Sequence, residues 1–195
     1  LAEEGVNVAI CARGEEALRV TEKELLNKGV KVVAQCCDIG DSKAFEAFLD
    51  DVKSKFGKID ILVNNVSALS LGDDYNDWEA SINIDLLASV KATRKVIPWM
   101  IEEGNGNILF ISSISALAAG SPPAYAAAKA AIISYSKTLA IELAPKNIRV
   151  NTIAPGSIEF SGGLWEMAKT HNRPFYDMVL DSIPSRRLGT PDEIG

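Results

Sequence analysis

Nowhere do about 18 apolar residues run uninterrupted, so the 195-residue chain holds no segment of membrane-spanning length. The opening LAEEGVNVAI has neither the basic start nor the long apolar stretch of a signal peptide, and the chain reads as cytoplasmic. Basic surplus is missing too. A net charge of −6 and a pI near 4.9 exclude a clustered Lys/Arg surface for nucleic acid and favour a small-molecule partner. Cysteine is scarce and odd in number. Cys11, Cys36 and Cys37 show no metal-ligand spacing, so no metal site is expected, and they read as buried thiols at strand ends. There is a single histidine, His171, expected in solvent. Repeats, low-complexity tracts and linkers are absent.

What is present alternates. VNVAIC (6–11), VKVVAQC (30–36), IDILVN (59–64), GNILFIS (106–112) and NIRVNTI (147–153) are Val- and Ile-rich and bounded by Gly, Asn or Asp, as strands are. Between them, apolar residues recur at spacings of three and four over about 15–28, 41–56, 74–103 with a break, and 122–144. This order predicts an α/β fold, a doubly wound parallel sheet in one domain spanning 1–195. Residues 157–190 lose the strand rhythm and gather Leu164, Trp165, Met167, Phe175 and Tyr176, an excursion expected to form a lid over a substrate pocket or to pack on its own core. Both ends read as cut: Gly5 suits the position after a helix, and Thr190 with Pro191 starts another. The first strand and glycine-rich turn of such a domain are not among these residues, which leaves the sheet short of a central member with unpaired edges.

In SPPAYAAAKAAIISYSKTLAIELA (121–144), Tyr125 and Lys129 are four apart, hence on one helical face, with Ser121 and Pro122 expected at the helix start. An ammonium and the positive end of the helix dipole both stabilise a phenolate. The expected effect is a phenol lowered from its usual value of about 10, suited to proton transfer. Upstream, GNILFIS runs into ISSIS, placing Ser113 at a strand exit where its hydroxyl can meet a substrate oxygen. Asn83 lies in a helix among Ile82, Ile84 and Leu86, where an amide reads as a kink partner or a water anchor. Taken singly, serines after strands mostly cap and asparagines mostly form turns.

Together NNVS (64–67), Asn83, ISS (111–113), YAAAK (125–129) and NTIAPGSI (151–158) resemble the short-chain dehydrogenase/reductase family, in its order and near its spacings, from VNVAICAR to RRLGTPDEIG. The resemblance implies a Rossmann-like fold and an oxidoreductase moving hydride between a nicotinamide and a carbonyl or secondary alcohol. It implies that Tyr125 is the acid/base and that Lys129 lowers its pKa and binds the nicotinamide ribose. Ser113, preferred over Ser112, would orient the substrate, and Asn83 would hold a water linked to Lys129. Arg13, following Ala12 where NAD-preferring relatives carry Asp, points to NADP(H), with NAD(H) as the alternative. Asp38, followed by Ile39, resembles the residue that meets adenine. The paired Asn64 and Asn65 resemble the asparagine near the adenosine. Pro155, Gly156 and Ile158 resemble the turn whose backbone meets the carboxamide. The usual partners imply a homodimer or homotetramer through 83–103 and 122–144.

Three departures stand out: the glycine-rich turn, NNVS in place of Asn-Asn-Ala-Gly, and Phe160 where a Thr is common. They keep a second reading open, a non-catalytic NAD(P)-binding regulator or scaffold. An epimerase or dehydratase sharing the Tyr/Lys pair is a third, disfavoured because RRLGTPDEIG follows the PG turn closely, as in simple reductases.

Overall fold

The computed structural model describes residues 1–195. Its elements are β1 (Val8–Ala12), α1 (Glu15–Leu26), β2 (Val32–Cys36), α2 (Ser42–Phe56), β3 (Ile61–Asn64), α3 (Tyr75–Ala80), α4 (Ser89–Glu103), β4 (Gly106–Ile111), α5 (Pro123–Leu143), β5 (Ile148–Ile153), α6 (Leu164–His171), α7 (Arg173–Ser182) and α8 (Pro191–Ile194). The expected break within 74–103 is no interruption. α3 passes into a π-helical segment, Ser81–Ala88, which runs straight into α4, and such wide turns recur at functional sites.

Every strand pair is parallel, and the sheet is divided: β1 pairs only with β2, while β3, β4 and β5 form a second ladder in that order. Between the halves lies a cavity of about 850 Å³, bounded by Val6–Cys11 on one side and Ile59–Val66 on the other. The unpaired edges of β1 and β3 therefore face this cavity.

One core joins β4 and β5 to α4 and α5 through Val96, Met100, Ile108, Phe110, Ile132 and Ile148, all essentially inaccessible. Each such side chain is worth about 1.5–3 kcal/mol of transfer from water. Close approach is built in at Gly106, where a Cβ would stand 2.5 Å from Met100 Sδ. A second core gathers Phe45, Phe48, Leu49 and Val52 of α2 with Val33, Ala88 and Ala92, and α1 lies against β2 and β1 with Leu18 inward. On α5, Ala124, Ala128, Ile132, Ser136, Leu139 and Leu143 form the inward stripe, with Lys129 beside it. Ser121 does not cap this helix; Pro122 precedes it and Pro123 fills its first position, where a missing N–H costs nothing.

The excursion after β5 has its own small core of Ala168, Tyr176 and Leu188, with Trp165 stacked on Phe175 at 5.7 Å. A parallel bridge between Ile158 and Gly189 returns the chain to the end of β5. The cysteines only partly match expectation. All three are free and Cys37 is buried, but Cys36 is exposed, its thiol donating to the Arg13 carbonyl at 3.2 Å.

Candidate active site

Because strands within each ladder run in parallel, the exits of β3, β4 and β5 share one edge, and α5 begins beside them. Ser112 and Ser113 follow β4. The Ser112 hydroxyl is buried and donates to the Lys129 carbonyl at 2.8 Å, whereas Ser113 is half-buried, accepts from Ser115 N at 3.1 Å and lies near enough to the Tyr125 phenol to act on its titration. Of the two serines, only Ser113 acts on the tyrosine's titration.

Tyr125 and Lys129 do share a face: the ammonium lies 5.6 Å from the centre of the phenol ring. Lys129 is 2% exposed, and its Nζ donates to the carbonyls of Ile111 at 3.1 Å and Val66 at 3.3 Å. Its third partner is Asp85. Oδ1 of that wholly buried carboxylate stands 3.2 Å from Nζ, within ion-pair range but out of line for a hydrogen bond, so Oδ1 has no hydrogen-bond donor. Oδ2 accepts the main-chain N–H of Ala68 at 3.1 Å. The NNVS loop is thus pinned twice, Val66 by the cation and Ala68 by the anion.

Two expectations are corrected here. Asn83 is exposed, and the side chain that meets Lys129 from this segment is Asp85. The phase explains it: Ser81, Asp85, Ala88, Ala92 and Val96 follow one inward stripe at intervals of three and four, and Asn83 falls outside it. An acid on a stripe of small and apolar residues is the signal that finds Asp85. Second, the Tyr125 phenol is raised above its ordinary value rather than lowered. Burial disfavours the phenolate first, the hydrogen bond with Ser113 opposes that, and the negative charge of Asp85 adds to the rise.

The remaining residues frame the other strand exits. Arg13 is exposed just past β1 and makes no ion pair. Asp38, past β2, is exposed and accepts the Gly40 N–H at 2.9 Å, while Ile39 packs against the α2 core. Asn64 is buried and donates to Thr93 Oγ1 at 3.1 Å; Asn65 is exposed beside the cavity. Past β5, Pro155 accepts from Ile114 N at 2.9 Å, Gly156 is exposed and Ile158 is half-buried. Phe160 is 53% exposed, and His171 is exposed as expected.

Residues 1–171 match the model of the short chain dehydrogenase family. The chain belongs to that family. It is 36% identical to the 3-oxoacyl-acyl-carrier-protein reductase FabG of Thermotoga maritima over 99% of this chain and 78% of the relative. It is 33% identical to human dehydrogenase/reductase SDR family member 4, over 99% of this chain and 70% of that protein. Among solved structures it is similar to an NAD⁺-bound xylitol dehydrogenase (TM-score 0.92, 28% identity, 99% of this chain and 81% of that one). An actinorhodin polyketide ketoreductase with NADPH gives a TM-score of 0.90 at 28% identity, covering 99% and 79%. The fold is Rossmann-like, and this short-chain dehydrogenase is an oxidoreductase.

Proposed function

We propose that this protein is an NADP(H)-dependent reductase of small, largely apolar ketones, running in reverse on secondary alcohols. The observation that carries it is the convergence of Ser113, Tyr125 and Lys129 where β4 ends and α5 begins. Tyr125 would deliver its proton to the carbonyl oxygen that Ser113 orients by donating a hydrogen bond, each role needing a group within hydrogen-bond reach. Lys129 backs the phenol and has one ammonium proton not committed to a well-aligned hydrogen bond, a donor suited to a ribose hydroxyl.

Nicotinamide dinucleotides fit the residues present at both ends. At the adenosine side, the unpaired Arg13 guanidinium suits a 2′-phosphate, with Asp38, Ile39 and Asn65 on neighbouring exits; at the other, Tyr125 and Lys129 would act with Pro155, whose carbonyl accepts from Ile114 N just past Ser113, and with Gly156 and Ile158 after it. When bound, that cofactor supplies or accepts the hydride at its C4 position. NAD(H) is the alternative cofactor. Trp165, Phe175 and Met167 of the excursion favour an apolar substrate. Exposed Leu87, Ile101 and Ile141 along the π-helical segment, α4 and α5 support assembly as a homodimer or homotetramer.

The test is isotopic. NADPH deuterated at C4 is incubated with a panel of apolar ketones, and the alcohols are analysed by mass spectrometry. Deuterium at the carbinol carbon is expected; NADPH that binds yet labels none of the panel would favour the regulator reading instead.

A further inference from the structure

We propose that Asp85 is a positioning residue, the internal counter-ion of Lys129, and that it holds the Tyr125 phenol in its protonated form at alkaline pH where an unopposed Lys129 would release the phenolate. This rests on the reading of Tyr125 as the acid/base.

Of all the buried side chains, only Asp85 and Lys129 are formally charged. They meet at 3.2 Å with exposures of 0% and 3%. Burial of either ion alone is prohibitive, so each requires the other. The groups facing Asp85 are few: Lys129 and Tyr125 from α5 and the Ala68 N–H from the loop after β3, while in its own segment the Ser89 hydroxyl meets only the Asp85 main-chain carbonyl. Only Lys129 is cationic. The pair sums to zero charge, and Tyr125 beside it does not experience a lone cation. A phenolate formed there would be an uncompensated buried anion, next to a carboxylate oxygen that already has no hydrogen-bond donor. The raised phenol agrees, since the Asp85 charge is among its causes. A neutral phenol is the proton-donating form that reduction consumes; oxidation needs the phenolate.

Asp85→Asn removes the charge while keeping an oxygen for the Ala68 N–H. Lys129 is then unopposed, and an opposite charge at this range moves a neighbour's titration by about one unit or more. The titration of Tyr125 is followed by carbon NMR of the ring carbon bearing the hydroxyl in ¹³C-tyrosine-labelled protein, the signal being assigned by its loss in Tyr125→Phe. The midpoint is expected to fall by about one unit or more in Asp85→Asn, and the alkaline rise of alcohol oxidation to move with it. A purely structural Asp85 would lower stability and leave the midpoint in place; an unchanged or higher midpoint overturns the proposal. Should Asp85→Asn not fold, Asp85→Ser, which leaves room for a water, carries the same expectation. The two readings separate: turnover retained in Tyr125→Phe overturns the catalytic reading, while an unmoved midpoint overturns the counter-ion role even where Tyr125→Phe is dead.

Discussion

Ser112 donates its hydroxyl to the main-chain oxygen of Lys129 at 2.8 Å, fastening the exit of β4 to the second turn of α5. Its neighbour Ser113 leaves that anchorage and instead acts on the Tyr125 phenol. One serine therefore holds the site's geometry and the next supplies its chemistry. Ser112→Ala is expected to lower stability by about 1 kcal/mol, the net worth of a hydrogen bond, with turnover reduced only as far as Lys129 shifts. Ser113→Ala gives up only the cap on the Ser115 N–H and should lower stability by about 0.5–1 kcal/mol. It should lower turnover by roughly ten- to hundredfold, because the lost bond serves a charged transition state. Urea unfolding and steady-state kinetics on both variants check the division.

The reach of Arg13 bears on cofactor choice. It stands past β1 with no acidic partner. A hydrogen-bonded contact with a charged group contributes about 1.5–3 kcal/mol, so Arg13→Ala is expected to weaken NADPH binding by roughly ten- to hundredfold and to leave NADH binding nearly unchanged. Fluorescence titration with both nucleotides measures it. Equal losses for the two would remove the 2′-phosphate assignment.

Thiol reactivity should follow burial. The Cys11 thiol is pushed up to about 11, by burial first and then by Cys37, and burial also raises Cys37. Since the thiolate is the nucleophile, both are held protonated at pH 8. Iodoacetamide is expected to label the exposed Cys36 first, with Cys11 following only as pH approaches its raised value; peptide mass spectrometry after timed quenching reads the order.

Period and composition place all five strands, and four of the helical stretches, within a few residues of where they lie, because strands of Val and Ile and helices with a stripe every three or four residues each have one way to bury themselves. The likeness to short-chain dehydrogenases extends to Ser113, Tyr125 and Lys129, which do converge. What escaped were properties of partners rather than positions. A lysine one turn from a tyrosine reads as a lone cation until the carboxylate at residue 85 is seen from the other side, delivered by a distant helix. Asn83 looked suitable by residue type, but the inward phase of its segment belongs to Ser81, Asp85 and Ala88. Likewise, Cys36 ends a strand that is buried at Val33 but open at its last residue.

The raised Tyr125 phenol sets a pH window. A raised value means that the protonated form persists from neutral pH up past the ordinary phenol value of about 10, so ketone reduction should be flat through the neutral range and decline only beyond that value. Alcohol oxidation, needing the phenolate, should climb throughout the alkaline range. Initial rates in both directions across a pH series test the sign.

Most direct of all is the effect of Tyr125→Phe on ketone reduction, which keeps the ring beneath Lys129 and deletes only the hydroxyl. Turnover is expected to fall by about 10²–10⁴-fold, the usual contribution of a positioned acid, with NADPH affinity unchanged. Turnover that stays within about threefold of the parent, with the nucleotide bound as before, would contradict proton transfer through this side chain.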